Sequence, residues 1–351
     1  MLQPQIKKCR RVLITGAAGF IGAALVREML AAGWQVSGLD DFSSGWPGRL
    51  PQHSEFDFFE TDVAQPRGLE RILASRRFDV LVHLAARVGV KAVLRDPEGC
   101  RSANLRGVRE ILRGVQALAA PERPRVLAAS SSEVYAPSRE PLRETHPTRS
   151  TSGVGRWAYA ASKLRGEQLL DDADLWSPGA AAVHLRFFNV VGPGQDSDSG
   201  MVLPTFVENA LAGAPIPVHG DGAAQRTFAH VDEVARVLRE LVEHPALPGG
   251  ALNVGGGART TIAHLAQLVR AGSALKSELH YIDPRSLCGA NFEEVAFRQP
   301  DLARLSTLGV ALPAMGLERI VQDSLERHAG LCRQSSANPA LKSPPCASPA
   351  S

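Results

Sequence analysis

No apolar run in this chain approaches the roughly 18 residues that a membrane-spanning helix needs, and its first residues lack the apolar core of a secretory leader. The expectation is a soluble, cytoplasmic protein with no membrane partner. Five cysteines, Cys9, Cys100, Cys288, Cys332 and Cys346, are an odd number and show neither Cys-x-x-Cys nor zinc spacing. Reduced thiols are therefore expected rather than a disulfide framework. His219 and His230 have no partners at ligand spacing, so no metal is expected. Net charge is only +3, with both signs interspersed, so the basic stripe that nucleic-acid binding calls for is missing. The mild excess of arginine could serve an anionic substrate. Internal repeats are absent. Only three residues are tyrosines, which makes the position of each informative.

What is present is a regular alternation. A chain of 351 residues can bury one large core, or a nucleotide-binding domain with a smaller one appended. Short β-branched and apolar runs at 11–15, 35–40, 79–84, 125–130 and 181–186 read as buried strands. Helical patterns fall at 20–32, 67–76 and 103–120. The alternation predicts an α/β fold with a doubly wound parallel (Rossmann) sheet over residues 1–192. After Pro193 the elements shorten and Gly and Pro become frequent, which predicts a smaller C-terminal substrate-binding α/β domain. Residues 334–351 are mostly Ser, Pro and Ala, and a disordered tail is predicted there.

The first strand runs directly into Gly16-Ala17-Ala18-Gly19-Phe20-Ile21-Gly22. Glycines there allow a tight turn and close approach of a pyrophosphate, while the following helix offers N–H donors and a favourable dipole. Gly16, Gly19, Phe20, Ile21 and Gly22 are thus candidates to hold a dinucleotide. The second strand ends in Asp40, about 20 residues past the loop, where an acid would meet ribose hydroxyls. Its charge would repel a 2′-phosphate, and no arginine follows until Arg49, so NAD is expected over NADP.

Tyr159 and Lys163 lie four residues apart, and on a helix their Cβ atoms would be about 6 Å apart on one face. The ammonium would lower the phenol pKa from its usual value near 10 and turn the tyrosine into a general base. Taken with the glycine loop, this pair points to redox chemistry on an alcohol. The two motifs together resemble the extended short-chain dehydrogenase/reductase family, which comprises sugar-nucleotide epimerases, dehydratases and decarboxylases. Further matches follow in order: Asp62-Val63, His83-Leu84-Ala85-Ala86, Asn104, Arg186-Phe187-Phe188-Asn189-Val190-Val191-Gly192-Pro193, Gly220-Asp221-Gly222, Gln225-Arg226-Thr227-Phe228 and His230-Val231-Asp232. The resemblance implies that Asp62 and Val63 meet adenine, that Ala85 lines the cofactor, and that Lys163 also reaches the nicotinamide ribose. It implies a nucleotide-sugar substrate held by Asn189 and Arg226, the arginine clamping a pyrophosphate. Residues 232–254 would return to the first domain, leaving 193–231 and 255–330 to the second, and the protein would be a homodimer. His83 is expected to be structural.

Ser130-Ser131-Ser132-Glu133-Val134-Tyr135 narrows the chemistry. Ser131 stands where the family carries its catalytic Ser or Thr, so the resemblance implies that it bonds the sugar C4 hydroxyl beside Tyr159. Tyr159 would take the O4 proton as the C4 hydride moves to NAD, leaving a 4-keto sugar. Simple 4-epimerases then return the hydride to the other face, whereas dehydratases and decarboxylases need a further acid or base near C5. Ser132 and Glu133 are candidates for that task, because a carboxylate is costly to desolvate for packing alone. Arg156-Trp157 and Phe297-Arg298-Gln299-Pro300-Asp301 resemble segments of the decarboxylases. Arg298 would act there as an acid, or equally as a phosphate clamp. The leading expectation is a UDP-glucuronate decarboxylase. A UDP-glucose-type 4-epimerase or an NDP-sugar dehydratase is the alternative, and an NADH-consuming 4-ketose reductase stands behind them. One departure is Val134-Tyr135-Ala136, where the family has Val-Tyr-Gly.

Overall fold

The structure is a computed structural model and describes residues 10–173, 175–176, 182–283 and 295–337. Its first six strands are β1 (Arg11–Thr15), β2 (Gln35–Asp40), β3 (Phe56–Glu60), β4 (Val80–His83), β5 (Arg125–Ser131) and β6 (Val183–Phe187). Shorter strands follow as β7 (Val190–Val191), β8 (Ile216–His219), β9 (Gln225–Thr227) and β10 (Ala229–His230). The last are β11 (Gly250–Val254), β12 (Arg259–Thr261), β13 (Leu279–Ile282) and β14 (Phe297–Arg298). Seven of them form one parallel sheet in the order β11-β6-β5-β4-β1-β2-β3. The direction in which successive strands are added to the sheet reverses between β1 and β4, the place where ligands bind in open α/β sheets.

Helices α1 (Phe20–Ala31), α2 (Gly68–Ser75), α3 (Val90–Arg95), α4 (Pro97–Gln116), α5 (Ala158–Asp171), α6 (Val202–Ala212), α7 (Val231–Glu243) and α8 (Ile262–Gly272) surround the strands. Strand pleating divides the core between the two faces. Val12 and Ile14 of β1 pack with Leu25 and Met29 of α1 and with Val234 and Leu238 of α7. Leu13 turns the other way, toward Leu69 and Ile72 of α2 and Ile111 of α4. The sheet is therefore covered on both sides, as a parallel sheet must be. Helix α7 is tied to α1 by Arg239 Nε donating to Glu28 at 2.9 Å, and to Trp34 through Glu243 at 3.1 Å. A separate cluster joins α6, β8, α8 and the final helix, Leu317–Ala337. Among the described residues no helix is long and apolar enough to cross a membrane.

Element boundaries differ from the sequence expectation by a residue at several ends and by more at the ends of α4, expected at 103–120 and found at Pro97–Gln116. Helix α4 starts six residues earlier than expected, because Asp96 accepts a capping bond from Gly99 N at 2.9 Å and Pro97 sits in the first turn. The strand expected at 181–186 runs Val183–Phe187, and residue 181 lies outside the described residues. Of the expected tail, 334–337 belong to the final helix and 338–351 lie outside the described residues.

Candidate active site

The glycine loop folds back on itself at the carboxyl end of β1. Gly16 and Ala17 donate their N–H groups to Leu39 O at 2.8 and 3.2 Å, and Gly19 N donates to Gly16 O at 3.0 Å. Gly16 has φ +73, and a Cβ on Gly22 would sit 1.9 Å from Gly16 O, so neither position tolerates a side chain. Helix α1 then begins at Phe20 with no side-chain cap. Its first N–H groups, those of Phe20, Ile21 and Gly22, are thereby left to an external acceptor, and a pyrophosphate fits this cradle.

Asp40 is buried beside the loop. One carboxylate oxygen accepts from Ala18 N at 3.0 Å and the other from Phe42 N at 2.9 Å. Burial pushes its pKa up from the usual carboxylate range, and those two N–H groups partly restore it. Ala85 stands against Gly16, where its N would meet an added Cβ at 2.6 Å. Asp62 is exposed just past β3 with Oδ1 accepting from Ala64 N, and Val63 lies against Gly107 of α4. All of these stand at the carboxyl ends of β1 to β4. His83 is buried, shares a 2.7 Å hydrogen bond with Thr15 Oγ1, and is pushed down to about 3 by burial. It is a neutral structural group.

The second cluster is built by β5 and α5. Ser131 ends β5 and its Oγ accepts from Glu133 N at 3.2 Å, which fixes a tight turn. Ser132 is buried within that turn. The Ser131 hydroxyl also acts on that of Tyr159, favouring its ionised form. Lys163 Nζ lies 5.9 Å from the Tyr159 ring centroid and donates to Ala129 O at 2.9 Å. The electrostatics differ from the sequence expectation. The Tyr159 phenol is pushed up, first by burial and then by the Glu133 carboxylate, and only the Ser131 hydrogen bond draws it down. Lys163 is itself lowered to about 8 by burial, against the pull of Cys100 and Glu167.

Glu133 has a partner across the cleft: Arg298 Nη1 lies 3.4 Å from its Oε1. Arg298 is delivered by β14, which pairs in parallel with β9 so that Arg298 stands in register with Arg226. Two guanidinium-bearing residues thus occupy adjacent positions on one face of a small sheet, an arrangement suited to an anion. Asn189, expected to help hold the substrate, follows β6 and reaches β9. Its side-chain N donates to Thr227 O at 2.9 Å, anchoring β9.

Further contacts lie around the site, and Glu167 and Arg149 among them were not singled out in the sequence. Glu167 takes Arg186 Nη2 at 2.6 Å and Arg186 Nε at 3.0 Å behind Lys163, and Ser130 donates to the same carboxylate. Arg49 reaches back to Ala18 O and across to Gly194 O. Trp157, just before Tyr159, is flanked by Arg149 and Arg156 at 3.5 and 4.4 Å from its ring centroid. Among the described residues no group of His, Cys, Asp and Glu could hold a metal.

A doubly wound sheet with an uncapped glycine turn at its switch point, Ser131 at a neighbouring strand end and Tyr159 and Lys163 on the helix beside it defines an NAD-dependent short-chain dehydrogenase/reductase of the extended type. Comparison with known proteins carries this further: residues 12–255 match the NAD dependent epimerase/dehydratase family, and the chain belongs to it. A UDP-N-acetyl-alpha-D-glucosaminuronate decarboxylase of Bacillus cytotoxicus is 28% identical, the match covering 90% of this chain and 97% of that one. A UDP-glucose 4-epimerase of Mycolicibacterium smegmatis is 33% identical over 78% of this chain and 86% of its own. The Thermus thermophilus UDP-glucose 4-epimerase, solved in complex with NAD, has a TM-score of 0.76 at 29% identity, covering 91% of this chain and 99% of that one.

Proposed function

We propose that this chain is an NAD-dependent decarboxylase of UDP-linked hexuronates, with UDP-glucuronate as the lead substrate. The observation that carries the reading is the Glu133–Arg298 ion pair set against the Ser131–Tyr159 couple. Ser131 and Tyr159 would hold the C4 hydroxyl, and the ionised form of Tyr159, which burial and Glu133 oppose and the Ser131 hydroxyl favours, would accept its proton as the C4 hydrogen leaves with its electron pair. When bound, NAD supplies the hydride acceptor, and later the donor, that the side chains lack. The resulting C4 ketone lies β to the C6 carboxylate. The C5–C6 bond can then break, its electrons flowing into the carbonyl as CO2 departs. Arg298 binds the carboxylate before it leaves, Glu133 handles the proton delivered to C5, and Arg226 holds the pyrophosphate. The hydride returns to C4, so the product is a UDP-pentose and the cofactor ends as it began.

The Bacillus cytotoxicus relative supports this reading by its named activity. Incubation of the protein with NAD and UDP-glucuronate tests it. A product lighter by one CO2 in mass spectrometry is expected, and an unchanged mass refutes decarboxylation. A 4-epimerase is the second reading. It is favoured by the Mycolicibacterium smegmatis relative, whose named activity is that of a UDP-glucose 4-epimerase. NMR of the UDP-glucose reaction, where epimerisation inverts C4 without mass change, separates the two. The resemblance also carries a cytoplasmic homodimer, and the mass in solution checks the dimer.

A further inference from the structure

Arg49 has no place in the reaction just described, yet it joins two segments of the cofactor edge. Its Nη1 donates to Ala18 O at 3.2 Å, in the middle of the glycine loop. Its Nη2 donates to Gly194 O at 2.6 Å, in the segment that follows β7. Ala18 is held from its other side as well, since its N–H donates to Asp40 and its carbonyl also accepts from Trp46 N at 3.1 Å. The loop carrying Arg49 leaves β2, and Gly194 follows β6 and β7. In the sheet β2 and β6 are four places apart, which at ~4.8 Å per strand is roughly 19 Å. The two segments therefore converge from opposite halves of the sheet, and the guanidinium closes the gap at the turn that would cradle the pyrophosphate. Burial lowers the basicity of Arg49, Asp196 and Asp40 support its charge, and Arg27 opposes it while donating to Arg49 O. A partly buried cation aimed at two carbonyls is a built connection, and its planar fork matches that task.

We propose that Arg49 is a strap that retains the dinucleotide, fixing how long one NAD stays with one protein molecule. The chemistry of the family gives such a strap a purpose. A hydride taken from C4 has to return from the same nicotinamide, and escape of the reduced cofactor in mid-cycle would strand a ketone. The inference rests on the cofactor and is indifferent to whether the product is a pentose or an epimer.

The test measures residence time with no sugar present. Protein loaded with radiolabelled NAD is diluted into excess unlabelled NAD, and release is followed for wild type, Arg49→Met and Arg49→Lys. Arg49→Met should release about tenfold faster or more, equivalent to ~1.4 kcal/mol. Lysine keeps the charge but reaches one carbonyl, so its rate should fall between. Melting temperature of the cofactor-free protein is measured in parallel. Release within about twofold of wild type in both variants overturns the proposal, as does faster release that only tracks lost stability of the cofactor-free protein. Should Arg49→Met fail to fold, the rate for Arg49→Lys decides alone.

Discussion

Replacing Glu133 by glutamine should divide the catalytic cycle in two. Glu133 and Arg298 are 3.4 Å apart with side chains 29% and 11% exposed. Unit charges at that separation attract by about 5 kcal/mol at an effective dielectric near 20, before desolvation is counted. Desolvation offsets most of this and the exposure of Glu133 screens the rest. The folding cost of Glu133→Gln should thus be about 1–2 kcal/mol, below the 3–5 typical of breaking a fully buried pair. Circular dichroism should show an intact fold. Glu133 is also the leading charge, after burial, that holds the Tyr159 phenol protonated. Neutralising it lets the phenol ionise at lower pH, so oxidation at C4 should survive and its acid limb should move to lower pH. The later step loses its proton carrier, a loss of about 100-fold or more for a general acid or base. Stopped-flow absorbance with UDP-glucuronate should therefore show NADH accumulating on the variant while pentose formation nearly stops. Turnover close to wild type with no NADH build-up would refute the role of Glu133 and promote the epimerase reading.

Tyr159→Phe removes the base and little volume, so turnover should fall by about 100-fold or more while NAD affinity, read by calorimetry, stays close to wild type; substantial residual activity refutes its role. Asp40→Asn should weaken NAD binding and narrow the preference over NADP, because it removes the charge proposed to meet the ribose and weakens the bond to Ala18 N. Equal affinity of the wild type for both cofactors would sink that argument. Lys163 gives a pH signature. Its folded pKa of about 8 lies below the unfolded value of 10.5, so below pH 8 both states are charged and burial is a cost. Between about pH 8 and 10 the native state sheds a proton that the unfolded state keeps, and stability should rise by about 2 kcal/mol from this group. Urea unfolding of the cofactor-free protein should show that rise and Lys163→Met should flatten it; parallel pH slopes for the two proteins would count against it.

What could be read from the sequence was what local spacing determines. The glycine turn, the strand ending at Asp40, and Tyr159 with Lys163 on one helix depend on residues within a turn or two of one another. The electrostatics of Tyr159 do not, since they follow from burial and from Glu133, which a separate strand end supplies. Arg298 drew attention through its Arg-x-Pro context, but its partner is 165 residues away in the chain and is brought to it by β14 pairing with β9. Asn189 was expected among the substrate-holding residues from its place in a matching motif; that its side-chain N also donates to Thr227 O depends on where β9 passes. Arg49 was weighed only as a charge near a ribose phosphate. Nothing in the order of residues brings Gly194 within its reach.

The pairing of β14 carries a consequence for how such enzymes diverge. Its frame is pinned on one side by Gln225 N donating to Ala296 O at 2.8 Å, and on the other by Leu142, whose N and O meet Gln299 O and Asp301 N at 2.8 and 2.9 Å. Because strand side chains alternate, a slip of one residue would turn Arg298 to the opposite face and present Phe297 or Gln299 in its stead. The cation proposed to face the sugar would become an apolar or neutral group with no substitution at the site. A single insertion or deletion in the chain ahead of β14 is thus a short mutational route from an enzyme that handles a charged sugar to one that handles a neutral one, and reading frame along this strand deserves the same scrutiny as residue identity when relatives are sorted by reaction.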